Sequence, residues 1–117
     1  FLEKKINICC KKFKVDIFKG NRMSHLLSTK SNKGKAISAL KEYSNIQNIE
    51  IIGLGDSPND LPLLLNSDIR IVIPGINGPN LNLIDQLKNL DFTIASEPNG
   101  FGWRNEVNKL INKLDLI

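Results

Sequence analysis

Apolar positions along the chain follow two rhythms, and the switches between them predict the elements. Leu2, Ile6, Cys9, Cys10 and Phe13 recur at helical spacing with Lys4, Lys5, Lys11 and Lys12 between them, the pattern of a short amphipathic helix. Val15 and Ile17, then Met23, His25 and Leu27, alternate about Gly20-Asn21, which predicts two strands joined by a turn. A helix beside an antiparallel pair reads as α+β. The polar stretch Ser28 to Asn32 breaks the rhythm and is the expected linker.

From Ala36 the helical period returns through Ile37, Leu40 and Tyr43 and ends near Asn45. Ile49 to Leu54, interrupted only by Glu50 and Gly53, predicts a buried strand. Leu61, Leu63, Leu64 and Leu65 predict a short buried helix. Pro62 is tolerated only in a first turn, so regular helix should begin near Asn59 or Asp60. Ile69, Ile71, Val72 and Ile73 predict the next strand, stopped by Pro74-Gly75. Gly78-Pro79 opens a helix carrying Leu81, Ile84 and Leu87. Phe92 to Ala95 is a last strand, Glu97 to Gly102 a Gly/Pro loop, and Trp103 to Leu114 a closing helix with Trp103 as a core anchor. Strands and helices alternating in this order predict a parallel α/β sheet layered by helices.

At 117 residues the chain has the length of one small domain. It begins with Phe1 rather than Met and is expected to be a piece of a longer protein. No apolar run approaches the roughly 18 residues of a membrane span, and no signal segment is expected. The formal charge of +4 suits an anionic ligand. Its lysines are scattered and aromatics are few, so a nucleic-acid stripe is not expected. Adjacent cysteines such as Cys9 and Cys10 bridge only with severe strain. They read as reduced, partly buried thiols of a cytoplasmic protein.

The chemistry concentrates in Gly53-Leu54-Gly55-Asp56-Ser57-Pro58-Asn59-Asp60. Carboxylates on a loop just past a strand's carboxyl end lie where open α/β sheets keep their active sites. Two readings of this loop stand. Ser57-x-x-Asp60 has the form of a capping box, and Asp56 has the form of a Mg²⁺ ligand, since hard cations take carboxylate oxygens and keep waters. Capping accounts for Ser57 and Asp60 but not for Asp56. Lys33-Gly34-Lys35-Ala36 heads the second helix with two positive charges and a poor helix former, against the helix dipole. A bound phosphate at that helix start would reverse the penalty, with Lys33 as point charge. Arg22, set on the second predicted strand beside the Gly-Asn turn, reads either as a surface arginine or as a grip for a carboxylate or phosphate. His25 shares a face with Met23 and Leu27, which favours a structural histidine over a ligand.

Lys33-Gly34-x-Ala36 followed by the acidic octapeptide resembles the third and fourth motifs of haloacid dehalogenase-like phosphatases, in their capped sugar-phosphatase branch. Gly20-Asn21-Arg22-Met23-x-His25, Leu61-Pro62-Leu63-Leu64 and Gly100-x-Gly102-Trp103 narrow the resemblance to the mannosyl- and glucosyl-3-phosphoglycerate phosphatases. It covers nearly the whole chain. It implies that residues 1–30 are the carboxyl-terminal part of an α+β cap domain. Residues 31–117 would be the second half of a Rossmann-like core. By the same resemblance Asp56 and Asp60 serve Mg²⁺, Lys33 neutralises the transferring phosphoryl group, and Asp60 orients Lys33 or the metal waters. Asn59 would reach the phosphoryl group or its metal shell. Arg22 and His25 would face a small phosphorylated sugar-glycerate substrate.

Such enzymes attack phosphorus with the first aspartate of an Asp-x-Asp motif, and none occurs in this sequence. That nucleophile is therefore expected in an amino-terminal half upstream of Phe1, and the 117-residue chain alone is expected to be inactive. A phosphatase for sucrose phosphate or another hexose phosphate fits the same acidic loop. A non-catalytic remnant that binds anions or a partner chain is the reading of another class. The active-site reading carries a geometric expectation: the Lys33 ammonium should lie close enough to the Asp56 and Asp60 carboxylates for a direct or water-bridged contact. A distance beyond roughly 10 Å from both would end that reading.

Overall fold

The computed structural model describes residues 2–114. Helix α1 (Leu2–Phe13) hands over at Lys14, whose φ of 53° turns the chain into β1 (Val15–Lys19). β1 pairs antiparallel with β2 (Ser24–Ser28), with Ile17 opposite Leu26 and Phe18 opposite His25. The Gly20 N–H donates to the Met23 carbonyl at 2.8 Å and closes the turn. Met23 is thereby used in the turn, and the ladder starts one residue later. Arg22 and Met23 thus belong to the turn, not to the strand on which alternation set them. The apolar stripe of α1 faces the hairpin, yet no residue of α1 is buried, and Cys9 is exposed rather than partly buried.

The second unit is built on three parallel strands, β3 (Ile52–Gly55), β4 (Ile69–Val72) and β5 (Thr93–Ile94), in the order β3-β4-β5. Ile52 is opposite Ile69 and Gly55 opposite Val72, and the ladder continues with Val72 opposite Ile94. Among the described residues β3 is an edge strand. It starts at Ile52 rather than Ile49. Asn48, at φ 61°, bends the chain first. The Ile51 N–H is then taken by the Asp68 carboxylate at 2.8 Å.

Helices α2 (Lys33–Tyr43), α3 (Leu61–Leu65), α4 (Leu81–Leu87) and α5 (Asn99–Lys113) supply the layers. Side chains on β4 alternate between the faces, as strand geometry requires. Val72 packs with Leu64, Leu83 and Leu87 on one side, while Ile71 and Ile73 pack with Ala95 and Leu110 on the other. A mixed α/β architecture with a parallel sheet therefore holds, as the alternation of periods predicts.

Three expectations change on contact with the packing. α5 begins at Asn99, inside the stretch read as a loop, and Gly100 and Gly102 fall within its first turn. Of the four leucines read as a buried helix only Leu64 is buried, and Leu65 is 48% exposed. Trp103 is 52% exposed and is no core anchor. No described helix is long and apolar enough to cross a membrane.

Candidate active site

Because β3, β4 and β5 are parallel, the segments that follow them leave from one edge of the sheet. Asp56 is the first residue past the end of β3. Its N–H donates to Asp60 Oδ2 at 3.0 Å. The other oxygen of that carboxylate, Asp60 Oδ1, is ion-paired with the Lys33 ammonium. The chain can fold back this tightly because residue 55 lacks a side chain: a Cβ there would lie 2.5 Å from Asp60 Cβ. Pro58, at the head of the 3-10 turn Pro58–Asp60, starts the reversal that brings Asp60 under the loop. Ser57 does not act as a helix cap, since its hydroxyl donates to Asn59 Oδ1 and reaches no helix N–H. The capping-box reading of this loop is not realised.

Lys33 arrives from the start of α2, where Asn32 Oδ1 accepts the Lys35 N–H at 2.9 Å. Gly34 is buried against α3: a Cβ on it would lie 2.5 Å from the Pro62 carbonyl oxygen and 2.6 Å from Asn66 Nδ2. That close approach brings the start of α2 over the acidic loop. The two irregularities of Lys33-Gly34 thus have two causes. Asp60 answers the charge, and helix packing requires the glycine.

The two carboxylates stand in opposite electrostatic situations. Asp60 is nearly buried, and burial alone would raise its pKa. The Lys33 hydrogen bond and the Asp56 amide outweigh burial and hold Asp60 below the usual aspartate range. Asp56 is pushed above that range, first by desolvation and then by its neighbour Asp60. A cation at Asp56 would relieve both effects. Both Asp60 oxygens are engaged by protein donors, which leaves Asp56 as the outward carboxylate. Among the described residues no cluster of three His, Cys, Asp or Glu side chains forms a metal cage. A single outward carboxylate suits a cation that keeps most of its waters, and Mg²⁺ behaves in this way.

The hairpin reaches the same loop. Asn21, in the hairpin turn, donates from Nδ2 to Asp56 Oδ2 at 2.9 Å. Its Oδ1 accepts from Asn80 Nδ2 at 2.8 Å. Asn80 Oδ1 in turn accepts the Leu83 N–H at 3.1 Å and caps α4. Arg22 lies beside Asn21 and lines a cavity of about 650 Å³ together with Asp56. His25 and Asn59 do not line that cavity: His25 lies against Gly20, and Asn59 is turned to Ser57. Asp56, Asp60 and Lys33 are therefore joined by direct contacts, and Arg22 shares a cavity with Asp56. The sequence reading assigned Asn21 to the turn only and missed Asn80. The crowding of asparagines about Gly78 was the available signal.

A family model described as haloacid dehalogenase-like hydrolase matches residues 2–74, a span that includes the hairpin, Lys33 and the acidic loop. The chain belongs to the haloacid dehalogenase-like hydrolase family. Among curated proteins it is similar to two named glucosyl-3-phosphoglycerate/mannosyl-3-phosphoglycerate phosphatase. The one from Persephonella marina is 34% identical over 104 residues, covering 85% of this chain and 36% of that protein. The one from Methanococcoides burtonii is 35% identical over 100 residues, covering 81% and 34%. The chain thus spans about a third of the length of these relatives. The fold matches the crystal structure of yhjK, a haloacid dehalogenase-like hydrolase protein from Bacillus subtilis. The TM-score is 0.53 at 21% identity, over 95% of this chain and 42% of that one.

Proposed function

We propose that this chain is the charge-handling part of a phosphatase that acts on a glycosyl-3-phosphoglycerate. The observation that carries the reading is the Lys33–Asp60–Asp56 arrangement at the carboxyl edge of the sheet. Family membership and the names of the two relatives support it. Residues 1–30 are then the end of a cap domain and residues 31–117 the second half of the core. The attacking aspartate lies on a strand upstream of Phe1.

In this reading Lys33 sets a positive charge where the phosphoryl group gathers negative charge in the transition state. Asp60 is a positioning residue: it holds the Lys33 ammonium and the Asp56 amide in one frame. Asp56 would hold Mg²⁺, which when bound supplies charge neutralisation of the phosphoryl oxygens. Arg22 faces the anionic glycerate from the hairpin turn. Asn59 and His25 keep supporting roles at the loop and the hairpin.

The test is turnover by the complete protein on glucosyl- or mannosyl-3-phosphoglycerate with Mg²⁺, against glucose 6-phosphate and sucrose phosphate. Preference for the glycosyl-phosphoglycerate supports the reading. Preference for a hexose phosphate moves the substrate to a sister activity, and no turnover on any ester makes the protein non-catalytic. Metal binding is read separately by NMR, with Mn²⁺ as a paramagnetic probe. Signals of the Gly55, Asp56, Ser57 and Asn59 amides and the Trp103 indole should broaden, because Trp103 lines a cavity with Asp56 and Asp60. Broadening that persists unchanged in Asp56→Asn would rule this ligand out.

A further inference from the structure

The cavity of about 650 Å³ beside Asp56 is walled by side chains of one unusual kind. Asn21 comes from the hairpin turn, Asn77 and Asn80 from the loop after β4, and Asn99 from the start of α5. Arg22, Asp56 and Ile76 complete the wall with Gly75 and Gly78. Its size lies within the range of small-molecule sites, about 300–1,000 Å³. One guanidinium facing a carboxylate is a poor cradle for a free polyanion, and a wall of amides is a poor seat for an apolar ligand.

An amide offers two donors and an acceptor from one planar group, and a sugar hydroxyl offers one donor and two lone pairs. Neighbouring hydroxyls on a pyranose ring are thus natural partners for converging asparagines. Two of the four, Asn21 and Asn80, already satisfy each other, and Asn21 also holds Asp56. The other two, Asn77 and Asn99, are exposed.

Both of these are rooted in stiff backbone. Asn77 sits in a turn that Gly75 and Gly78 close reciprocally, with N–H to carbonyl distances of 3.0 and 3.1 Å. Asn99 holds a left-handed conformation, φ 51°, with its N–H on the Pro74 carbonyl at 2.9 Å. With the backbone anchored beforehand, each side chain has only its own rotamers left to fix on binding.

We propose that this cavity is a polyol subsite, in which Asn77 and Asn99 hydrogen-bond ring hydroxyls of the glycosyl half of the substrate. The assignment rests on the phosphatase reading above, which sets the phosphoryl group at the Asp56 end. It makes these two asparagines specificity residues that distinguish a glycosylated phosphoglycerate from a bare one.

The test uses the complete protein and a glycosylglycerate without phosphate as the calorimetric probe, so that binding is read apart from turnover. The variants are Asn77→Ala, in an exposed turn, and Asn99→Gly, which keeps the left-handed backbone. Each should weaken the probe by about three- to tenfold, as expected for losing a neutral hydrogen bond, and the double variant by more. The ratio of kcat/KM on glycosyl-3-phosphoglycerate to that on 3-phosphoglycerate should fall in step. An unchanged dissociation constant in the double variant overturns the subsite, as does a wild-type protein that does not bind the probe. A wild-type protein that binds the probe but cleaves no phosphate ester leaves the subsite standing and sinks the phosphatase reading instead.

Discussion

The ammonium of Lys33 and the carboxylate of Asp60, 27 residues apart in sequence, form an ion pair at the carboxyl edge of the parallel sheet. Their exposures are unequal: the Asp60 side chain is 7% exposed and that of Lys33 is 52%. The carboxylate belongs to the protein interior, and the lysine approaches it from the solvent side. The buried partner thus fixes the exposed one.

Removing either partner should separate stability from turnover. Asp60→Asn leaves an amide that can accept from only one of its two present donors. It should destabilise the chain by about 1–2 kcal/mol, between the worth of an exposed pair and that of a buried hydrogen bond to a charge. Lys33→Met leaves a nearly buried carboxylate without its cation and should also destabilise. In the complete protein it should lower kcat by about 10²–10³, the usual loss for one preorganised electrostatic group. Denaturant melts and steady-state kinetics on the same variants check this. Full turnover in Lys33→Met would remove the lysine from the site.

The carboxylates predict opposite pH responses. Asp60 is held low, so the native state binds its proton less tightly than the unfolded chain does. Its contribution is present above the ordinary aspartate value, about 4, and is lost as pH falls through the native value. Asp56 is held high, so ionising it opposes folding once pH exceeds its native value. Asp56→Asn, which still presents an oxygen to Asn21, should raise the melting temperature at pH 7. The gain should shrink as pH falls through the native Asp56 value. A variant less stable than wild type at pH 7 would contradict this account of the site.

Gly34→Ala tests helix packing. A methyl group there would meet the Pro62 carbonyl, which is backbone and cannot swing aside. Overpacking of this kind costs typically 1–3 kcal/mol, although alanine is the better helix former by up to about 1 kcal/mol. Packing wins by this comparison, and the variant should be less stable in a urea melt. Increased stability would mean that α2 and α3 do not approach as described.

Asn80→Asp separates two jobs of one side chain. Aspartate caps a helix about as well as asparagine, so α4 should stay intact. The donor to Asn21 is lost, and an anion is left facing the Asn21 carbonyl. Amide hydrogen exchange should quicken at Gly20 to Arg22 with little change in Leu83 to Leu87. Uniform acceleration across both segments would mean that the asparagine acts only as a cap.

The legible features were those that repeat along the chain. Alternation at Val15 and Ile17 and helical spacing at Leu2, Ile6, Phe13 mark elements because each set answers to one face, whereas Leu27 pairs with Asp16 on the other face of the hairpin. The acidic loop was legible because Asp56 and Asp60 have no apolar reason to follow a buried strand. The element limits were set by single contacts instead. Ile51 is held by Asp68, and Met23 by Gly20. Trp103 has the composition of a core anchor and stands at a cavity rim because α5 begins four residues before it. Asn21 and Asn80 meet across 59 positions, and no local period carries that.

The edge position of β3 has a consequence for handling the chain. Among the described residues this strand pairs on one side only, so a row of backbone donors and acceptors stays open. Such an edge is a template on which another molecule can add a strand and begin to aggregate. β3 is four residues long, and two of them, Gly53 and Gly55, are glycine. A short edge without branched side chains at half its positions makes a weak seed for intermolecular sheet growth. The same absence of side chains that lets Asp60 tuck beneath Asp56 therefore also guards the strand against self-association.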